Sequence, residues 1–190
     1  MDQKDRLLQF HEQLSEHPLY LALRDYLMQR RSLPPVKMEA LGPATAGEFA
    51  RGKDLPSTGQ ISLNYGAEAG TLAHELTHAT DQAITRQFYE GVQDRRLNVP
   101  QFEDAYRKLR FRGGPQELAK RLAPAFLEQN KDYRATNSEL PAFGVGDTLA
   151  PGWYSLKAPA HLNPTMATET AILLELAQRA QSKRNSSQGR

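Results

Sequence analysis

The chain contains no cysteine. Disulfide frameworks, cysteine-ligated zinc, iron–sulfur clusters and thiol nucleophiles are thereby excluded, while the redox state of the compartment is left open. Long apolar runs are missing too. Stretches such as Ala171-Ile172-Leu173-Leu174 fall far short of the roughly 20 residues that cross a bilayer. The start, Met1-Asp2-Gln3-Lys4-Asp5-Arg6, is charged rather than apolar, so no secretory signal is expected. Neither sign of charge dominates. The net charge is +2 and the pI about 8.9, too balanced to argue for nucleic acid. With 13 glycines and 12 prolines in 190 residues, collagen-like and wholly disordered classes are excluded. A chain this long buries about 70% of its unfolded surface, enough for one real core.

Periodicity then organises what is present. Leu7, Leu8, His11 and Leu14 share one helical stripe, and Leu19, Leu23, Tyr26 and Leu27 a second. These predict an N-terminal helical segment over residues 1–33, in which His11 and His17 are surface or core-edge residues. Val36, Met38 and Ala40 alternate with polar neighbours, as do Ile61, Leu63 and Tyr65, so two half-buried strands are expected. Residues 42–59, with four glycines and two prolines, read as a long loop. From Ala67 to Phe88, Leu72, Leu76, Ala79 and Ala83 form the apolar side of a helix. Pro100 opens another helix, carrying Phe102, Ala105, Tyr106 and Leu109, and helix resumes over 116–130 with Pro124 dividing it. Residues 141–161 are loop-rich; Asn163 and Pro164 start a last helix over 164–181. The expected fold is α+β: a single domain over residues 1–181, helix-dominated, with a small, mainly antiparallel sheet. The polar tail 182–190 is expected to be disordered.

Residues 74–78 read His74-Glu75-Leu76-Thr77-His78. The spacing of four puts both imidazoles on one helix face, one turn apart, where two nitrogens can share a Zn²⁺ ion. Glu75 lies beside the first ligand without needing to bind, and can take a proton from a metal-bound water. With five histidines and 13 glutamates in the chain, the bare pattern arises by chance about 0.009 times.

The motif resembles that of the HExxH zinc metallopeptidases, the zincins. The longer run Thr71-Leu72-Ala73-His74-Glu75-Leu76-Thr77-His78-Ala79-Thr80-Asp81 is similar to the T-L-x-H-E-L-x-H-A-x-D run of the mitochondrial ATP-synthase-processing metalloproteases, and Ser138-Glu139-Leu140-x-Ala142 to their S-E-I-x-A segment. The match spans roughly 16 residues. The chain departs from that family in lacking cysteine and in a longer interval between second and third ligand, Glu139 standing 61 positions after His78. The resemblance implies a zincin-like domain in which an edge strand precedes the active-site helix, together spanning residues 60–88. It places Gln60–Tyr65 as the strand on which an extended protein or peptide substrate is laid. It also implies Glu139 as third metal ligand.

A catalytic zinc takes three protein ligands. No histidine occurs between 79 and 160, so the third ligand comes from Asp81, Glu90, Glu139, Asp147, His161 or Glu169. Glu139 is favoured: it stands alone in the charge-poor stretch Ala135 to Val145, beside Leu140, Ala142 and Phe143, where a buried carboxylate needs a partner. Asp81, three residues after His78, suits a carboxylate that orients a ligating imidazole. Tyr133, Tyr154 and His161 are candidate donors to a developing oxyanion, with Gly152-Trp153-Tyr154 read as a loop exposing aromatics to a cleft.

The expected activity is hydrolysis of peptide bonds by a zinc metallopeptidase: His74, His78 and Glu139 on the metal, Glu75 as general base, Tyr154 and His161 as further catalytic residues. The expected location is cytoplasmic, or outside the cell as a leaderless effector. Residues 94–121 carry a local charge of +4, and the segment after Glu175 another +4. Both are read as solvated helix faces, without a stable nucleic-acid partner. Competing readings are a zincin-fold binding module without proteolysis, and a basic helical protein that binds nucleic acid.

Overall fold

A computed structural model describes residues 2–50, 59–93, 139–153, 170, 174, 175 and 178. The helices predicted over 100–130, most of the helix over 164–181 and the tail 182–190 lie outside the described residues. Thr170, Leu174, Glu175 and Gln178 are helical, and Leu174 is buried in the core.

Helix α1 (Gln3–Ser15) and helix α2 (Pro18–Gln29) form an N-terminal pair. Pro18 opens α2, and His17 caps it: the ring nitrogen Nδ1 accepts the N–H of Leu19 at 3.2 Å. A predicted surface residue therefore satisfies one of the orphan donors of a helix start. The α2 stripe Leu19, Leu23, Tyr26 and Leu27 is buried as expected, joined by Tyr20. The α1 stripe is rotated, with Phe10 and Leu14 inside and Leu8 left 57% exposed. The hydroxyl of buried Tyr20 is hydrogen-bonded to His11 Nδ1, and the Arg24 guanidinium lies over the Tyr20 ring. Arg6 ties α1 to the segment ahead of the central helix, donating to the carbonyls of Tyr65 and Ala67.

Strands β1 (Val36–Met38), β2 (Gly47–Ala50) and β3 (Gln60–Leu63) make one sheet in the order β1-β3-β2. The pair β1–β3 is parallel (Val36 opposite Ile61) and β2–β3 antiparallel (Gly47 opposite Leu63). The sheet is thus mixed, not mainly antiparallel. The correction follows from β2, which occupies part of the segment read as loop. Its polar and glycine content hides it, and once it pairs with β3 the chain must return to lie parallel beside β1. Nor is β3 the expected edge strand. Both its sides are paired, and Ile61, Ser62 and Leu63 are all buried. Alternation in the sequence therefore reported residue type, not exposure.

Helix α3 (Ala69–Gln93) runs through the middle. Thr71 Oγ1 accepts the backbone N–H of Glu68 at its start. Leu72, Ala73, Leu76, Ala79, Ala83 and Ile84 enter the core, while Thr77 and Thr80 return their hydroxyls to the carbonyls of Ala73 and Leu76. Helix α4 (Glu139–Leu149) replaces part of the predicted loop over 141–161. Its proline, Pro141, falls in the first turn, where a missing N–H costs nothing within the helix. Helices, sheet and Leu174 share one hydrophobic core. Among the described residues no helix is long and apolar enough to cross a membrane.

Arg31, at φ 52, occupies the left-handed position just after α2, with its N–H on Met28 O and that of Ser32 on Leu27 O. This arrangement favours glycine. Arg31→Gly is expected to stabilise the fold by about 0.5–1 kcal/mol, after glycine's own entropic cost; urea midpoints measure it. Burial pushes the Tyr20 hydroxyl up to about 12, against the nearby charge of Arg24. The folded state then holds a proton that the unfolded chain releases near pH 10, so stability falls as pH rises from about 10 to 12. Urea midpoints taken across that window should drop less in Tyr20→Phe than in the native sequence.

Candidate metal centre

The site forms where α3 crosses α4. On α3, the four-residue spacing brings His74 and His78 together with their Nε2 atoms 3.0 Å apart. Glu139, the first residue of α4, reaches both: Oε2 lies 3.3 Å from His74 Nε2 and Oε1 lies 3.4 Å from His78 Nε2. The side chains of His74 and Glu139 are buried, that of His78 nearly so. For metal–ligand bonds of about 2.0–2.1 Å, the edges of a regular tetrahedron measure about 3.3–3.4 Å. The two carboxylate separations, one to each Glu139 oxygen, fall at that spacing and the imidazole pair is somewhat closer; the donor set, two imidazoles and a carboxylate, is of the kind that could hold a divalent cation.

Glu75 stands beside this trio. One of its carboxylate oxygens lies within 4.8 Å of a nitrogen of each histidine, so it is a neighbour of the cation position, whereas Glu139 is the closer carboxylate. Burial pushes the Glu75 carboxyl up to about 7; the charges of Glu139 and Glu48 push the same way, and His78 and the backbone N–H of Phe49 oppose them. For Glu139, burial is outweighed by hydrogen bonds from His74 and His78 and by their charge, which hold it well below the usual carboxylate range.

Strand β2 lies directly over Glu75. The N–H of Phe49 donates to the Glu75 carboxylate. Antiparallel ladders alternate, and Asn64 N donates to Ala46 O. The backbone groups of Gly47 and Phe49 therefore turn away from β3, toward the outer edge. Gly47 has no side chain because none fits: a Cβ there would lie 2.7 Å from Thr71 Cγ2 and 3.0 Å from Glu75 Oε1.

Of the residues singled out in the sequence, His74, Glu75, His78 and Glu139 converge. Asp81 is half-buried one turn beyond His78 and is not among the donors, His74, Glu75 and His78, that lie within 4.8 Å of one another; Glu139 joins that group through its contacts with the two histidines. Asp147 is buried further along α4, also outside that group. Glu90 lies twelve residues past His78 on α3, about 18 Å along the axis. Tyr133, Tyr154, His161 and Glu169 lie outside the described residues. Trp153 is not the exposed cleft aromatic expected from its loop; it is half-buried and stacked on Phe143. Sequence reasoning missed Gly47 and Phe49. The glycine in an otherwise unassigned segment was the available signal for a close backbone approach.

Comparison with protein-family models, with curated proteins and with solved structures gave no match.

Gly47→Ala should destabilise the fold by about 1–3 kcal/mol through overpacking. Thr71→Ser removes the nearest clashing methyl, so the double variant should recover part of the loss. Thermal melting of the two single variants and the pair measures this coupling.

Proposed function

We propose that this chain is a metal-dependent peptidase of zincin-like architecture, with His74, His78 and Glu139 as ligands of a divalent cation, zinc foremost. The observation that supports it is the meeting of two Nε2 atoms and one carboxylate at 3.0–3.4 Å, beside a second buried carboxylate, Glu75. When bound, zinc would supply Lewis acidity to a substrate carbonyl and lower the pKa of a water toward about 7.

The chain's own residues do the rest. Glu75 takes the proton of the attacking water and hands it to the leaving amine. Phe49 N–H holds the Glu75 carboxylate in place, and the burial of the site limits competing solvent. An extended peptide adds to β2, not to the interior strand β3. Among the described residues no strand pairs with the outer side of β2; since Glu75 takes the Phe49 N–H there, a peptide would pair with the Gly47 backbone and the Phe49 carbonyl. Main-chain pairing of this kind recognises extended segments with little regard to side chains, which favours protein or peptide substrates over small molecules.

The test compares the native chain with Glu75→Ala and Glu139→Ala, purified without a polyhistidine tag. Metal analysis should find about one zinc per chain in the native protein and in Glu75→Ala, and loss of high-affinity zinc in Glu139→Ala. Hydrolysis of an unfolded protein substrate should fall by about 10²–10⁴ or more in Glu75→Ala. Equal hydrolysis in Glu75→Ala would reject the peptidase reading. Stoichiometric zinc without hydrolysis in the native chain would leave a metal-holding binding module. Failure to bind zinc, with steeply salt-dependent binding to DNA or RNA, would instead favour the basic helical reading.

A further inference from the structure

Resting on that metal-site reading, we infer that Trp153 is a positioning residue for the ligand His74, acting through Phe143 from a seat cut by two glycines. The three rings are in contact in series. Trp153 lies on Phe143 at 5.9 Å between centroids and 20° between planes. Phe143 meets the His74 imidazole at 4.4 Å between centroids, tilted by 57°, and Trp153 itself comes within 5.8 Å of it, tilted by 60°. With His78 edge-on at 4.6 Å, the His74 ring is bracketed on several sides. Imidazole has a broad χ2 preference, so its direction depends on such neighbours.

The indole holds its place because two helices lack side chains where it sits. A Cβ at Gly70, one turn before His74 on α3, would lie 2.4 Å from Trp153 Cγ. A Cβ at Gly146, on α4, would lie 2.4 Å from Trp153 Cζ3 and 2.8 Å from the carbonyl of Gly70. Glycine within a helix costs about 1 kcal/mol relative to alanine, and here two helices carry one at the same point. Their shared gap admits the indole edge to edge across the crossing that also brings Glu139 to His74. A shell that fixes the orientation of a ligating histidine typically changes metal affinity by 10- to 100-fold when removed.

Trp153 is the chain's single tryptophan, so its emission reports on this site alone. Co²⁺, a zinc surrogate with a visible ligand-field spectrum, serves as probe. In the native chain Co²⁺ should quench the tryptophan emission with the same midpoint as the growth of its visible absorption. Trp153→Ala should weaken Co²⁺ binding by 10- to 100-fold and alter the ligand-field bands, and Trp153→Phe should restore most of the affinity. Phe143→Leu, which keeps apolar bulk but not the stack, gives the same readout if Trp153→Ala does not fold by circular dichroism. Folded variants that bind Co²⁺ with native affinity and native spectrum would overturn the positioning role while leaving the metal site standing. A native chain that takes up no Co²⁺ would overturn the metal reading, and this inference with it.

Discussion

Two imidazoles and a carboxylate held within 3.0–3.4 Å of one another, inside a helix crossing, are the constraint around which the described part of this protein is arranged. Burying a carboxylate without compensation costs several kcal/mol. Glu139 is compensated by facing both imidazoles. That demands that the first turn of α4 sit against the middle of α3 to within hydrogen-bonding distance. The close approach in turn explains why glycines stand where the helices touch, and why residues 69–80 of α3 are buried on nearly every side instead of one.

The same constraint separates two carboxylates that share a small volume. Glu139, tied to His74 and His78, is held strongly acidic, whereas Glu75, buried against β2 with one backbone donor, is pushed toward neutrality. Chemistry that needs one group to stay charged and another to exchange protons uses this kind of division, in which environment and not residue type assigns the role. The strand above Glu75 serves two purposes. Its missing side chain at Gly47 makes room for the carboxylate, and its outward Phe49 amide orients it.

Local features were legible early. The i, i+4 histidines, the intervening glutamate and the apolar stripe Leu72, Leu76, Ala79 and Ala83 all obey helical geometry that any run of those residues carries. The α2 core residues were readable for the same reason. Glu139 was legible for another: a lone charge among apolar neighbours requires a partner wherever it is buried. What escaped was less periodic. Strand β2 has polar residues and a glycine, and its pairing energy comes from β3, which no local pattern reveals. Helix α4 was hidden by Pro141, Gly144 and Gly146, whose propensities oppose a helix until α3 packs against it.

Residue order alone specifies a helix bearing two imidazoles and an acid on adjacent turns, an N-terminal helical pair, and the absence of any thiol chemistry. All of these follow from residue identity and short-range periodicity. Long-range packing set the rest: β3 is interior and β2 borders Glu75, Glu139 meets both histidines from at least 61 positions further along the chain, and Trp153 seats between Gly70 and Gly146. Those outcomes depend on contacts between segments distant in the chain, where the gain from burial and pairing outweighs local preference.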